Sequence, residues 1–402
     1  MPLKQWRIKG LMALAGIILS LIAVELGLRL VGIEYPVFYE ADPTLGYKLR
    51  PGAKGLYLSE GKGYVSINRD SMRDREHALA HPADMVRIAV LGDSYTEAMQ
   101  VNQDETFCAI MEKELEKSDH LKGRHVKVLN FGQSGFGTNQ ELLMLETRVW
   151  KYSPDVVLLE FTTANDVADN SRALKKIDYL PYYVYVGDKL VLEDEKTREN
   201  WAASRHGLWY LLGLDKFLNF RVFQLVNHSK DVLQNWRARQ DGQNVEDKTK
   251  ANGKVQAQVK GQEAGISDDI YREPTSEVWK EAWRVTEGVL LRMRDEVAAH
   301  GARFFVVTAT IGDQVVPDVP RRQIFANWLG VKDLYYTEHR LEKFCQEHDI
   351  PILVLGPTFE QYAAEHQVYL HGFGKTLGTG HWNQAGHRLA GQTIAAWLGS
   401  QL

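Results

Sequence analysis

Cysteine is scarce in this chain of 402 residues, which has only Cys108 and Cys345. Two cysteines do not make a disulfide framework, and neither lies at a metal-ligand spacing, so we predict two unpaired, buried thiols. Positive charge is not in excess either, because 48 lysines and arginines stand against 52 aspartates and glutamates. The net charge of -4 argues against nucleic acid as a partner, since binding the phosphate backbone requires a basic face.

One long apolar run is present, at residues 11–33, and it reads LMALAGIILSLIAVELGLRLVGI. A helix of roughly 20 apolar residues spans the hydrocarbon core of a bilayer. Lys4, Arg7 and Lys9 precede the run and acidic residues follow it, so the positive-inside rule places residues 1–10 in the cytoplasm and the residues after Ile33 outside it. A cleaved signal peptide is the alternative. The length of the run and the lack of a small-x-small cleavage site favour a single-pass anchor instead.

The rest of the chain divides into a neck, residues 34–85, and a domain, residues 86–402. The neck is rich in glycine, proline and charge, and we expect an extended segment that packs on the domain and takes no part in catalysis. In the domain, continuously apolar segments alternate with helical patterns, which predicts an α/β fold with helices on both faces of a parallel sheet. The predicted strands are 85–94, 125–132, 155–161, 301–310 and 350–356, and the predicted helices are 105–117, 138–151, 275–299, 333–348 and 385–402.

A large insertion, at about 171–285, separates the third and fourth predicted strands. It opens with YYVYVGDKLVLE at 182–193, which predicts a β-hairpin because a Gly-Asp pair suits a two-residue turn. The aromatic stretch 209–226 predicts a helix that packs on the domain, lines a cleft or touches the membrane. Residues 236–268 are polar with mixed charge and predict a mobile loop.

The first motif that could carry chemistry is GDS at 92–94, directly after the first predicted strand. Parallel α/β sheets bind ligands at the carboxyl edge, and a helix that begins at Tyr95 or Thr96 would favour negative charge beside the Ser94 oxygen. On this interpretation Ser94 is a nucleophile with Asp93 in a supporting position. The alternative is that both residues only cap the helix.

Three later motifs add groups of the kind that a serine nucleophile requires. In NFGQSGFGTNQ, Gly135 can bring a backbone N–H close to an oxyanion, although a simple glycine-rich turn is the alternative. In TTANDVADN, the Asn165 amide can donate to an oxyanion, and Asp166 is expected to brace the loop through backbone N–H groups. In GTGHWNQ, His381 could reach the serine as a general base, and Asn383 has the character of a turn or cap residue.

The order of these four motifs resembles that of the SGNH (GDSL-type) hydrolase family. The resemblance implies a three-layer sandwich with a central five-stranded parallel sheet. It also implies that Ser94 is the nucleophile and His381 the base, and that the oxyanion hole consists of the N–H groups of Ser94 and Gly135 and the amide of Asn165. The anchor, the LGYKLRP segment of the neck and the ETF motif are similar to a bacterial, membrane-tethered branch of the family.

The resemblance covers about 87–170 and 300–402, and it departs from the family at one position. The family places an Asp three residues before the catalytic His, where this chain has Gly378. That acid orients the imidazole, and its loss can cost several orders of magnitude in rate. Three outcomes stay open. A backbone carbonyl orients His381, a carboxylate from elsewhere such as the insertion replaces the Asp, or activity is lost.

The leading prediction is therefore a membrane-anchored serine esterase that forms an acyl-enzyme on Ser94 and needs no metal or organic cofactor. A location outside the cytoplasm, at a bacterial inner membrane and periplasm or at the cell surface, points to an acylated small molecule or polysaccharide as substrate. O-acetyl groups of envelope or exported polysaccharide are one such target. Two alternatives stay open: an O-acyltransferase that uses the same acyl-enzyme, and a non-catalytic relative that binds polysaccharide.

Overall fold

The computed structural model of the chain describes residues 2–118, 121, 123–206, 220–230, 233 and 266–402. Much of the predicted aromatic helix, at 209–219, and most of the predicted polar loop, at 236–265, lie outside the described residues. The described end of the aromatic stretch is helical from residue 221, and this helix continues to residue 230.

The chain begins with a helix, Pro2–Val31. Its segment Trp6–Val31 is long and apolar enough to cross a membrane, as judged by length and composition, and only 6% of its most apolar window is buried. Near the end of this helix, a carboxylate oxygen of Glu25 accepts the backbone N–H of Val222 at 3.0 Å. The helix at 221–230 therefore lies beside the last turns of the apolar helix.

The neck, residues 34–85, contains four short strands in two antiparallel hairpins. In the first hairpin β1 (Tyr39–Asp42) pairs with β2 (Gly46–Leu49), and in the second β3 (Lys54–Tyr57) pairs with β4 (Gly63–Ser66). The neck packs on the domain through a small hydrophobic core. The buried side chains of this core are Phe38, Leu49, Ala53, Val65 and Ile67 from the neck and Met99 from the domain.

The predicted five-stranded parallel sheet is confirmed, and its strands lie in the order β11-β10-β7-β5-β6. Each residue of β7 is buried, as expected where helices cover both faces of a parallel sheet. The strands of the domain, including the predicted hairpin β8–β9 of the insertion, are β5 (Met85–Leu91), β6 (His125–Asn130), β7 (Val156–Thr162), β8 (Tyr182–Val186), β9 (Lys189–Glu193), β10 (Arg303–Ala309) and β11 (Ile352–Val354).

The two faces of the sheet contribute to two separate hydrophobic cores. Ala89 and Leu91 of β5 belong to one core, and Ile88 and Val90 belong to the other, because successive strand residues point to opposite faces. The predicted three-layer sandwich is therefore confirmed. In the described part of the domain, the α-helices besides the one at 221–230 are Ser94–Glu97, Phe107–Leu115, Thr138–Met144, Asp166–Asp169, Arg172–Lys175, Glu195–His206, Glu277–Ala299, Gly312–Val315, Val319–Leu329, Tyr336–Glu347, Gly356–His366 and Gln384–Gln401.

The strand order reverses at β5, because the chain passes from β5 to β6 on one side and later returns to β7 on the other. Parallel sheets of this kind bind ligands at the carboxyl ends of the strands beside such a reversal. Ser94 follows β5, Gly135 follows β6 and Asn165 follows β7, so all three lie at this edge of the sheet. Away from it, Cys108 and Cys345 are free and buried, which confirms that prediction.

Candidate active site

Ser94 lies in a tight turn at the end of β5. It is the first residue of the one-turn helix Ser94–Glu97, which we call the nucleophile turn. Asp93 is the N-cap of this turn, and its Oδ1 accepts the N–H of Tyr95 at 2.9 Å. A side chain at Gly92 would lie 2.3 Å from the Thr96 hydroxyl oxygen, so the close packing of the turn requires glycine there. The cap is Asp93, which leaves the Ser94 hydroxyl available for other contacts.

The Ser94 hydroxyl faces His381 across the edge of the sheet. Ser94 Oγ and His381 Nε2 are 2.7 Å apart, which is hydrogen-bond distance. The His381 loop precedes the last helix, Gln384–Gln401, whose N-cap is Asn383. Asn383 Oδ1 accepts the N–H groups of Ala385 and Gly386 at 3.0 and 3.2 Å. The serine and the imidazole, which the sequence placed in separate motifs, are therefore in direct contact.

A second histidine, His371, is hydrogen-bonded to the backbone of the loop that carries His381. Its Nδ1 lies 2.8 Å from the carbonyl oxygen of Gly380, and its Nε2 lies 2.8 Å from the hydroxyl oxygen of Thr310. Burial lowers the pKa of His371 to about 4, so the ring is neutral at neutral pH. His371 thus acts through hydrogen bonds that fix the backbone next to His381.

The imidazole of His381 is held from its other side by Glu60, which comes from the neck. Glu60 Oε2 contacts His381 Nδ1, and Glu60 Oε1 accepts the His381 backbone N–H at 2.9 Å. Burial alone would raise the pKa of Glu60, but its hydrogen bonds to His381 and the charge of that ring hold the pKa below its usual range. A side chain at Gly380 would lie 2.3 Å from Glu60 Oε1, so glycine makes room for the carboxylate.

This contact corrects two expectations from the sequence. The neck was expected to pack on the domain without a part in the chemistry, yet it places Glu60 on the candidate base. A carboxylate does contact Nδ1 of His381, but it comes from the loop between β3 and β4 and not from the insertion, and it takes the Nδ1 position considered for a backbone carbonyl. Glu60 carried no motif or spacing that would have identified it.

Gly135 lies in the loop after β6, with a backbone φ of +77°. A side chain there would lie 2.7 Å from the hydroxyl oxygen of Tyr47, so the loop and the neck are in close contact. The loop lines an open cleft of about 560 Å³ between the neck and the insertion. The residues that line this cleft are Tyr39, Glu40, Ala41, Gly46, Tyr47, Ser134, Gly135, Tyr179 and Asn200.

Asn165 lies beside Asp93 at the end of β7, and its amide already has two acceptors. The amide nitrogen donates to Asp93 Oδ2 at 3.1 Å and to Asp169 Oδ2 at 3.0 Å. Donation to an oxyanion therefore requires that the amide exchange one of these contacts. Asp166 accepts the N–H of Thr162 at 2.8 Å, a bond that closes the loop.

A group of buried carboxyl groups lies under the candidate site. Glu160 accepts the hydroxyl groups of Thr96 and Thr162 at 2.9 Å, and it is fully buried. Burial raises the pKa of Glu160 well above its usual range, and it does the same for Asp166 and Glu141. These three carboxyl groups are therefore harder to ionise than exposed ones, and the hydrogen bonds from Thr96 and Thr162 hold Glu160 in place. Among the described residues, no cluster of His, Cys, Asp and Glu is arranged to hold a metal ion.

Comparisons with known proteins give only distant structural likenesses. No family model matches the chain, and no curated protein matches it. An acetyl xylan esterase is similar in structure at 12% identity and a TM-score of 0.36, over 79% of this chain and 100% of that one. A two-domain esterase active on acetylated mannans is 11% identical at a TM-score of 0.37, over 79% of this chain and 49% of that one.

A lipase/acylhydrolase from Enterococcus faecalis is also similar, at 13% identity and a TM-score of 0.36, over 79% of this chain and 97% of that one. At these identities and TM-scores the likenesses are too distant to assign an activity to this chain. An assignment of function therefore has to rest on the contacts within the candidate site.

Proposed function

We propose that the chain is a serine ester hydrolase of the SGNH type, with Ser94, His381 and Glu60 as its catalytic triad. The contact between Ser94 Oγ and His381 Nε2 at 2.7 Å, with the Glu60 carboxylate on Nδ1 of the same ring, carries this proposal. A hydroxyl, an imidazole and a carboxylate joined in this order are the arrangement that activates serine for attack on a carbonyl.

The first half of the reaction forms an acyl-enzyme. Ser94 Oγ attacks the ester carbonyl, and Nε2 of His381 takes the hydroxyl proton. The negative charge that develops on the carbonyl oxygen is stabilised by the N–H groups of Ser94 and Gly135 and by the Asn165 amide. Collapse of the tetrahedral intermediate breaks the ester bond, and His381 returns the proton to the alcohol that leaves.

The second half releases the acid. Water attacks the acyl-enzyme carbonyl, His381 takes a proton from that water, and Ser94 leaves as its hydroxyl with the same proton. Throughout, Glu60 accepts the Nδ1–H of His381, which fixes the tautomer with a free Nε2 and stabilises the positive ring. In the family this role belongs to an Asp three residues before the catalytic His. This chain has Gly378 at that position, and we propose that Glu60 takes the role of the Asp.

The apolar N-terminal helix supports a membrane anchor, and three lysines and arginines before it support a cytoplasmic N-terminus. In that orientation the domain faces the outside of the cytoplasmic membrane, where acylated envelope or exported polysaccharides are found. The cleft beside Gly135 is lined by Tyr39, Tyr47 and Tyr179, whose aromatic rings offer a flat apolar surface to a sugar. An ester on a polysaccharide is therefore the substrate class that we propose.

A fluorophosphonate probe tests the nucleophile directly, because it reacts with an activated serine. We expect the full-length chain in detergent micelles to label, Ser94→Ala to lose all labelling, and His381→Ala to label more slowly by about 10³-fold or more. A folded wild-type chain that does not label would rule out the serine mechanism. Hydrolysis of acetylated xylan, with and without an added sugar acceptor, then separates transfer to water from transfer to a hydroxyl.

A further inference from the structure

The peptide unit that carries the Gly135 N–H is held by a tyrosine of the neck. The Tyr47 hydroxyl donates to the carbonyl oxygen of Ser134 at 2.6 Å. That carbonyl and the Gly135 N–H belong to the same planar peptide unit, in which the two groups point in opposite directions. The hydrogen bond to the carbonyl therefore fixes the direction of the N–H.

The preceding peptide unit is tied to the nucleophile turn. The N–H of Ser134 donates to Glu97 Oε2 at 2.7 Å, and Glu97 lies in the same helical turn as Ser94, three residues further on. Glu97 is 1% exposed. A second neck tyrosine, Tyr39, donates its hydroxyl to both Glu97 oxygens at 3.0 and 3.1 Å. The position of the Gly135 loop relative to Ser94 is thus set through the Glu97 side chain.

We propose that Tyr47, Glu97 and Tyr39 are positioning residues for the Gly135 N–H of the oxyanion hole. With Glu60 on the base, the neck then completes both halves of the site, the oxyanion hole as well as the triad. The inference rests on the proposed esterase function. None of the three side chains needs to touch the substrate, since each acts through the backbone of Ser134 and Gly135.

The energetic reason is that an oxyanion hole works only when its donors are fixed before the reaction. A donor that must first be oriented loses much of its effect, and a misplacement of about 1 Å can cost about 100-fold in rate. Tyr47→Phe removes the hydroxyl and keeps the ring that packs beside Gly135. The matched control is Tyr64→Phe, because Tyr64 is also in the neck but is 51% exposed.

The test uses the full-length chain in detergent, with p-nitrophenyl acetate as substrate and an alkyl trifluoromethyl ketone as inhibitor. The ketone adds to the active serine and places an oxyanion in the hole. For Tyr47→Phe we expect kcat to fall about 10- to 100-fold with KM nearly unchanged, and inhibitor affinity to fall by a similar factor. The pH profile should keep its midpoint, because His381 and Glu60 are not altered. Tyr64→Phe should match the wild type in all three measurements.

Glu97 provides a second, independent variant. Glu97→Gln keeps a carbonyl oxygen that accepts the Ser134 N–H, whereas Glu97→Ala removes it, so the glutamine variant should retain most of the inhibitor affinity that the alanine variant loses. The inference is overturned when Tyr47→Phe keeps the wild-type kcat and inhibitor affinity, or when Glu97→Gln and Glu97→Ala lose affinity equally. A wild-type chain that does not react with the fluorophosphonate probe instead contradicts the proposed function itself.

Discussion

The sheet edge and the neck contribute to the candidate site in different ways. At the sheet edge, Ser94, Gly135 and Asn165 follow consecutive strands, so the topology of a parallel sheet brings them together. The neck reaches the site by packing alone, and Glu60 and His381 are 321 positions apart in the sequence. The difference shows that a carboxylate on Nδ1 of the candidate base does not have to share a loop with that base. It has only to reach Nδ1 of the imidazole.

The largest effect should come from removing the carboxylate that the neck supplies. Glu60→Gln keeps the size of the side chain but loses the charge that stabilises the protonated His381 and favours its productive tautomer. We expect kcat/KM for p-nitrophenyl acetate to fall about 10²- to 10⁴-fold. The acidic limb of the pH–rate profile should also move to lower pH, because a charged imidazole is less favoured without a nearby carboxylate.

Glu60→Asp is the control for this prediction, since it keeps the charge on a side chain shorter by one carbon. It should recover part of the lost rate, and both variants should retain the thermal stability of the wild type within a few degrees. A Glu60→Gln enzyme with nearly the wild-type rate and pH profile would mean that the neck only packs on the domain. The sheet edge would then supply all the side chains that the reaction requires, and the neck would contribute only to packing.

Sequence patterns predicted the sheet edge because each of its parts carries a local signal. Continuously apolar strands predicted the sheet, and Ser94, Gly135, Asn165 and His381 lie in motifs at strand ends or before a helix. The helices Val319–Leu329 and Gly356–His366 were not predicted. For the first of them, the Asp318 cap, a proline in the first turn and the terminal Gly330 were signals that could have been used.

The neck could not be predicted in the same way, because its role depends on which loops touch across the fold. Glu60 lies in a polar turn between two hairpin strands, and its sequence context is that of a solvent-exposed residue. Tyr39 and Tyr47 fit the pattern of strand tyrosines, and their bonds to Glu97 and Ser134 depend on how the hairpin docks.

A smaller effect, on stability, is expected at Glu97, where the two regions meet. Burial raises the pKa of this carboxyl to about 8 from its usual 4.5, so the folded chain keeps a proton there that the unfolded chain releases. The resulting stabilisation is complete below about pH 4.5 and is lost as the pH rises towards about 8. The melting temperature of the wild type should therefore fall over this range, and Glu97→Gln, which is neutral throughout, should make the fall shallower.

Glu338 offers the matched comparison away from the neck. Burial raises its pKa to about 7, and its partners are Gln314 and Thr163. Glu338→Gln should also make the fall of the melting temperature with pH shallower, over a range that ends near pH 7, about one pH unit below the range for Glu97. Its affinity for the trifluoromethyl ketone inhibitor should stay within about twofold of the wild type. Thermal melts at several pH values measure both effects. An unchanged pH dependence in Glu97→Gln would show that Glu97 is ionised in the folded chain and would contradict the prediction.

The smallest effect is expected from restoring the acid of the family at its usual position. Gly378 has a φ of +88°, and a side chain there would lie 3.1 Å from atoms of Tyr369 and Val316. Gly378→Asp should therefore cost about 1 kcal/mol in stability and leave kcat/KM no higher than in the wild type. In the Glu60→Gln background, Gly378→Asp should raise kcat/KM by less than about threefold, because the left-handed backbone and the close neighbours strain any side chain at this position. A tenfold or larger recovery of kcat/KM in the double variant would contradict this prediction. It would show that the carboxylate can come from the loop before His381 as well as from the neck.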